Sequence, residues 1–291
     1  MAIRKVGVIG AGLMGHGIAQ VAAQGGCDVV VCETQQGFLD KGLERIDKSL
    51  AKLAEKAKEK GQAFDAAAVR ARIRGTLAKT DLADCDLVVE AIVEDLDVKK
   101  KLFAELGAIV KKDGIFASNT SSFPIAEMAA VSGRADRFVG LHFFNPVQLM
   151  KLVEVVRTDK TNEDVVAQAR AFGEACGKSP ITCKDTPGFV VNRLLVPYMA
   201  DAMKLAERGD ASIPDIDTAM KLGCGYPMGP FELTDYVGLD TTLSILEGWV
   251  KRYPNEPAFQ IPKLLSGLVK EGKLGRKSGQ GFYTWQGDKR V

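Results

Sequence analysis

His142 is one of only two histidines in 291 residues, and it lies in the run Gly140-Leu141-His142-Phe143-Phe144-Asn145-Pro146. Further along, Glu154 interrupts the apolar run Lys151-Leu152-Val153-Glu154-Val155-Val156. An imidazole takes or gives a proton near neutral pH, and a carboxylate partner raises its basicity and fixes its tautomer. A carboxylate inside an apolar strand needs such a partner, because burying it alone is costly. The chain also opens with a glycine loop, Gly10-Ala11-Gly12-Leu13-Met14-Gly15. A proton acceptor beside a dinucleotide-type loop is the minimum equipment for dehydrogenating an alcohol.

The loop has the context it needs. Lys5-Val6-Gly7-Val8-Ile9 reads as a short buried strand before it, and Ile18 to Ala23 as a helix after it. Gly10 permits the tight turn, Gly12 lets the backbone approach a pyrophosphate, and Gly15 allows close helix–strand packing, with Leu13 and Met14 completing the cofactor loop. The phosphates would lie at the helix N-terminus, where free N–H groups favour anions. A second strand, Cys27 to Cys32, ends at Glu33, placed to accept hydrogen bonds from the adenosine ribose hydroxyls. A carboxylate there repels a 2′-phosphate, so the expected cofactor is NAD rather than NADP. His16 sits in the first turn of the following helix and reads as a helix-start residue, not a catalytic one.

Strands are expected at Asp86–Ala91, Ile115–Ser118, Arg137–Leu141 and Lys151–Val156, with a helix between Val98 and Lys111. Alternating strands and helices imply right-handed crossovers and an α/β fold, a doubly wound, mainly parallel sheet of the Rossmann type. Ligands bind such sheets at the carboxyl ends of the strands. Glu94, Asn119-Thr120-Ser121-Ser122 and His142 all follow strand ends, so they can converge above one edge. Two bland readings stand beside this: Ser121-Ser122 as the cap of a helix starting near Pro124, and Asn145-Pro146 as a turn. From Phe38 to about Lys60 a lysine-rich amphipathic helix places Ser49, Lys52 and Lys56 on neighbouring surface. That stripe reads either as a solvated face or as a cationic rim for a phosphorylated substrate tail.

Past Lys184-Asp185-Thr186-Pro187-Gly188 the chain turns helical. Runs from Phe189 to about Ala206 (with Pro197 inside), Ile213–Leu222, Phe231–Val237, Asp240–Tyr253 and Ile261–Lys270 make a smaller all-helical domain. The expected domains are 1–185 and 186–291, the second contributing to the substrate cleft and to self-association as a homodimer. Asn192, early in its first helix, is placed to reach back toward the cleft.

Composition narrows the classes further. Hydrophobic residues are 46% and charged residues 26%, ordinary for a soluble domain protein. A net charge of +2 is too small to imply nucleic-acid or membrane partners. The six cysteines are scattered with no metal-like spacing, so no metal is expected and a reducing compartment is favoured. The start runs straight into a strand, leaving no room for a signal peptide, and no run reaches membrane-span length. The expected location is cytoplasmic, though a mature organellar form has the same appearance.

The motifs Gly7–Gly15, Ser118–Ser122, Gly140–Pro146, Leu152–Val155, Asp185–Arg193, Gly229–Leu233 and Gly275–Tyr283 together resemble the L-3-hydroxyacyl-CoA dehydrogenase family, in order and over nearly the whole chain. The resemblance implies oxidation of a short-chain (S)-3-hydroxyacyl-CoA by NAD. It makes His142 the general base and Glu154 its orienting partner, with Ser121 and Asn192 on the substrate oxygen. It places Glu94, Lys99, Ser121 and Asn145 at the nicotinamide half of the cofactor, and Ser49 and Lys56, with Lys52 nearby, at the CoA tail. Oxidation of a free hydroxy acid or sugar acid on the same fold, or a dinucleotide-binding protein without chemistry, are the competing expectations.

Overall fold

The computed structural model describes residues 3–291; Met1 and Ala2, with which the first expected domain begins, lie outside the described residues. The chain forms two compact units, Met1–Phe189 and Val190–Val291.

In the first unit, β1 (Lys5–Ile9), α1 (Gly15–Gln24), β2 (Asp28–Cys32), α2 (Gln36–Glu59), α3 (Ala66–Ala71) and β3 (Ile73–Thr76) build one half of a sheet. The other half comes from β4 (Leu87–Glu90), α4 (Leu96–Ile109), β5 (Ile115–Ser118), α5 (Ile125–Val131), β6 (Phe138–Phe143), β7 (Leu152–Arg157), α6 (Glu163–Ala175) and β8 (Ser179–Lys184). The strand order is β3-β2-β1-β4-β5-β6-β7-β8. Neighbours are parallel throughout except β6 and β7, which run antiparallel. The connections wind outward in both directions from β1 and β4, which opens a crevice at their carboxyl ends.

Helices cover both faces, so the central strands are apolar on both sides. Val6, Val8, Val29, Val31, Leu87 and Val89 face Ile18 and Ala22 of α1 and Ile46 and Leu50 of α2. Val30, Val88 and Phe116 face Leu102, Phe103 and Leu106 of α4 and Ile125 and Met128 of α5. Burial of this kind stabilises by about 25 cal/mol for each Å² of apolar surface removed from water.

Several elements were not expected, among them α6 and the C-terminal hairpin strands at Trp285–Gln286 and Lys289–Arg290. The edge strand β3 is only four residues and contains Arg74 and Gly75. The opposite edge strand, β8, contains Pro180, which an edge position tolerates. The short helix α3 buries no residue fully.

The second unit consists of α7 (Val191–Glu207), α8 (Ile213–Cys224), α9 (Pro230–Val237), α10 (Leu239–Arg252) and α11 (Lys263–Lys270), and a small hairpin of β9 (Trp285–Gln286) and β10 (Lys289–Arg290). Its core joins Met199 and Met203 to Phe231, Leu246 and Trp249. The helix α7 begins two residues later than expected, because Phe189 takes φ 55° and closes a turn on Thr186 before the helix starts. Buried Asp217 caps α9 through the N–H groups of Phe231 and Glu232 and accepts the Tyr283 hydroxyl. Among the described residues no helix is long and apolar enough to cross a membrane, no acidic, histidine or cysteine cluster could hold a metal ion, and all six cysteines are free.

Candidate active site

The antiparallel pairing of β6 and β7 places His142 directly opposite Glu154. Residues opposed in this way share a face with Cβ atoms about 4.5–5.5 Å apart, so their side chains must meet. His142 Nδ1 lies 2.6 Å from Glu154 Oε2. The carboxylate is fully buried and the imidazole is 6% exposed. A charge-assisted bond to Nδ1–H leaves Nε2 as the acceptor nitrogen. Phe144 and Phe189 flank the ring, with centroids 4.4 and 5.6 Å away. Sequence reasoning missed Phe189, whose positive φ is the unusual feature that sets its ring there.

The carboxyl ends of β4 and β5 supply a second cluster. Glu94 Oε1 accepts from Thr120 Oγ1 at 2.5 Å, Ser122 Oγ at 3.1 Å and the Ser121 N–H at 3.3 Å. Glu94 Oε2 pairs with Lys99 Nζ at 3.0 Å. Burial alone would push the pKa of this carboxyl up, but Lys99 and the hydroxyl donors outweigh it and hold the group below its ordinary value. Lys99 is 1% exposed, and its ammonium also meets Glu90 at 2.5 Å. The ammonium is thus enclosed between Glu90 and Glu94, and of these two only Glu94 is partly exposed. The bland reading of Ser121 and Ser122 fails, because Asp185 caps α5 through the Ile125 and Ala126 N–H groups. The Ser121 hydroxyl makes no hydrogen bond among the described residues. Asn119 Oδ1 accepts from the Phe143 N–H at 3.0 Å, tying the end of β5 to the strand that carries His142.

Beyond His142 the chain crosses a cis Asn145–Pro146 bond with Asn145 exposed. The buried Lys178 ammonium holds this loop by the Val147 carbonyl and, at 2.9 Å, the Met150 carbonyl.

The glycine loop fits a dinucleotide on its own geometry. A Cβ on Gly10 would meet the Ala91 carbonyl at 2.5 Å, and one on Gly15 the Gly10 carbonyl at 1.7 Å. Gly12 has nothing within 4 Å of that position; it offers open backbone. Leu13 is exposed beside it and Met14 half-buried. No side chain caps α1 and no acidic residue occupies its first turn, which suits a bound phosphate. Glu33 Oε1 accepts from the Ala11 N–H at 2.6 Å and Oε2 from the Thr34 N–H at 3.0 Å. Each oxygen keeps a further lone pair, so the carboxylate is fixed against the loop and still able to accept. His16 Nδ1 lies 2.7 Å from the Gly12 carbonyl, and burial lowers its basicity, as suits a helix-start residue.

On α2, Ser49 is half-buried while Lys52 and Lys56 are exposed. Neither lysine has an ion-pair partner among the described residues. Asn192 is the second residue of α7, half-buried in the second unit.

The family model described as 3-hydroxyacyl-CoA dehydrogenase, NAD binding domain, matches residues 5–186. The model of the same family's C-terminal domain matches residues 188–285. The chain is 51% identical to the mitochondrial hydroxyacyl-coenzyme A dehydrogenase of Sus scrofa over 98% of this chain and 92% of that protein. It is 50% identical to a probable 3-hydroxybutyryl-CoA dehydrogenase of Deinococcus radiodurans, over 97% of this chain and 100% of that one. The crystal structure of (S)-3-hydroxybutyryl-CoA dehydrogenase from Ralstonia eutropha superimposes with a TM-score of 0.93 at 42% identity, covering 98% of this chain and 100% of that chain. With both domain models matched in order and the sheet, glycine loop and His142–Glu154 pair in place, the chain belongs to the 3-hydroxyacyl-CoA dehydrogenase family.

Proposed function

We propose that the protein is an NAD-dependent dehydrogenase that interconverts (S)-3-hydroxyacyl-CoA and 3-oxoacyl-CoA, with short-chain 3-hydroxybutyryl-CoA and acetoacetyl-CoA as the preferred pair. The observation that carries this reading is the buried His142–Glu154 pair at 2.6 Å, set at the carboxyl edge of a sheet whose first loop is open at Gly12. When bound, NAD supplies the hydride acceptor. His142 Nε2 removes the C3 hydroxyl proton, and Glu154 stabilises the imidazolium so formed. Positioned acid–base groups of this kind contribute about 10²–10⁴-fold.

Gly10, Gly12, Leu13, Met14 and Gly15 hold the pyrophosphate, and Glu33 the adenosine ribose. Glu94, Ser121 and Asn145 face the nicotinamide half, with Lys99 acting through Glu94. Ser121, whose hydroxyl has no protein partner among the described residues, positions the substrate's oxygen. Asn192 shares that role on family resemblance. Ser49 and the exposed Lys52 and Lys56 bind the CoA tail.

The test is oxidation of NADH on adding acetoacetyl-CoA, compared with free acetoacetate. Turnover with the thioester alone supports the reading. Equal turnover with the free acid favours the alternative of a free hydroxy acid substrate.

The exposed apolar residues of the second unit, Leu194, Leu222, Tyr226 and Tyr236, support a homodimer formed through it; a monomeric mass by light scattering would exclude it. The six free cysteines support a reducing compartment, and we take it to be the cytoplasm. The named relatives include a mitochondrial enzyme, so cell fractionation is the deciding observation.

A further inference from the structure

Glu90 ends β4 and is fully buried. Alternation along the strand puts it on the same face as Val88, toward α4, where Lys99 lies on the helix's buried side. Its Oε1 takes Lys99 Nζ at 2.5 Å and the Ile92 N–H at 2.8 Å, and its Oε2 takes the Ser118 hydroxyl at 2.6 Å. A buried ion pair is a poor source of stability, because desolvation of both charges offsets their attraction. An apolar residue would serve β4 at least as well. The presence of a carboxylate there calls for another explanation.

The charges supply one. Lys99 sits between two carboxylates, Glu90 at 2.5 Å and Glu94 at 3.0 Å, so the group of three carries a formal charge of −1. Without Glu90, Lys99 and Glu94 would form a neutral pair. With it, the ammonium is matched from the buried side, and the excess negative charge resides on Glu94, whose side chain is 40% exposed. Glu94 is held there by Thr120, Ser121 and Ser122. Oxidised nicotinamide is a cation and reduced nicotinamide is neutral, so an anion beside the ring binds the two forms unequally.

We propose that Glu90 sets the enzyme's preference between the oxidised and reduced cofactor: by neutralising Lys99 from below, it leaves Glu94 as a net negative charge that favours NAD⁺ over NADH. This rests on the reading that Glu94 faces the nicotinamide. Glu90 is a positioning residue in this scheme, since it touches neither cofactor nor substrate.

The experiment measures Kd for NAD⁺ and for NADH by titration calorimetry, in the absence of substrate, for the wild type and four variants. Glu90→Gln should weaken NAD⁺ relative to NADH by about tenfold, the order expected when one unit charge near a cation is removed in a partly screened site. Glu90→Asp, which keeps the charge, should hold the wild-type ratio. The double variant Glu90→Gln/Lys99→Gln returns the formal charge to −1 and should restore the ratio to within about twofold. If Glu90→Gln alone does not fold, Lys99→Gln is measured beside the double variant: the two differ only in the Glu90 charge, so Lys99→Gln should favour NAD⁺ more strongly, and equal ratios in the two would overturn the proposal. An unchanged ratio in Glu90→Gln, an equal loss of both affinities, or a double variant that remains shifted would each overturn the proposal. Glu94→Gln separates the two layers of the argument. If it leaves the ratio unchanged, the placement of Glu94 at the nicotinamide fails; if it shifts the ratio while Glu90→Gln does not, only the role of Glu90 fails.

Discussion

Replacing Glu154 by glutamine removes one charge at a buried position. The glutamine side chain keeps the length of the glutamate, and its amide oxygen can still accept from His142 Nδ1–H, so the tautomer and ring orientation survive. What is lost is the carboxylate 2.6 Å from the imidazole, in a place where Glu154 is fully buried and water cannot substitute for it. Hydrogen bonds to charged groups contribute about 1.5–3 kcal/mol. The imidazolium develops only as the proton is taken, so this loss falls on the transition state rather than on substrate binding. At about 1.4 kcal/mol for each factor of ten, kcat should fall by about 10- to 150-fold. KM for (S)-3-hydroxybutyryl-CoA and the Kd for NADH should stay near wild type. Initial rates of NAD⁺ reduction at saturating (S)-3-hydroxybutyryl-CoA, the direction in which His142 takes the proton, give kcat, and NADH fluorescence titration gives the Kd. A kcat within about threefold of wild type in a variant with an unchanged melting curve would refute the claim that the charge on Glu154 supports proton transfer.

Three further outcomes follow from the same geometry. Lys52→Glu combined with Lys56→Glu, at exposed positions without ion-pair partners among the described residues, should raise KM for acetoacetyl-CoA by about tenfold at low salt with kcat largely intact, and the effect should shrink as salt screens the charges; steady-state kinetics at two ionic strengths checks this, and an unchanged KM removes α2 from the CoA site. Gly12→Ala adds a methyl group into open space, so its melting temperature should match wild type while NADH binding weakens by about tenfold or more. Gly15→Ala would drive its Cβ to 1.7 Å from the Gly10 carbonyl and should lose stability as well as binding; thermal melts with NADH titrations separate the two, and equal behaviour of both variants would contradict the loop assignment. The Glu94 carboxyl is held below its ordinary value of 4.5, so it gives up its proton more readily folded than unfolded. Its stabilising contribution is complete above that ordinary value and is lost as pH falls through the lower folded one. Melting curves of wild type and Glu94→Gln should therefore differ most above about pH 6 and converge on acidification; a gap independent of pH would contradict the depressed carboxyl.

The parts of this fold legible in the sequence are those where local chemistry allows one solution. Gly10, Gly12 and Gly15 between an apolar strand and a helix admit few other readings, and the strands buried on both faces announce themselves as unbroken apolar runs. The edges are harder. Ile73–Thr76 has an arginine and a glycine because its outer flank meets solvent, and Ser179–Lys184 has a proline because one flank donates nothing. The direction of β7 is equally silent in its composition. Yet it is the reversal between β6 and β7 that makes His142 and Glu154 opposed partners, so the sequence supports the pair by residue type and only the sheet explains its contact. Glu90 shows the limit most clearly. It closes the apolar run Leu87-Val88-Val89 within the strand expected over Asp86–Ala91, and its residue type alone points to solvent, as that of Glu33 does at the end of β2. Its partner Lys99 lies on the first turns of α4, and only the packing of that helix over β4 reveals that the carboxylate is enclosed. The available signal was an acidic residue in phase with the buried face and a lysine among the apolar positions of the next helix.

The central claim is that His142 exchanges the proton that accompanies hydride transfer. The most direct measurement is turnover of acetoacetyl-CoA with NADH by His142→Asn, paired with an NADH titration of the same protein. Loss of about 10²–10⁴-fold in kcat with NADH affinity unchanged is the expected result; turnover at the wild-type rate would contradict it.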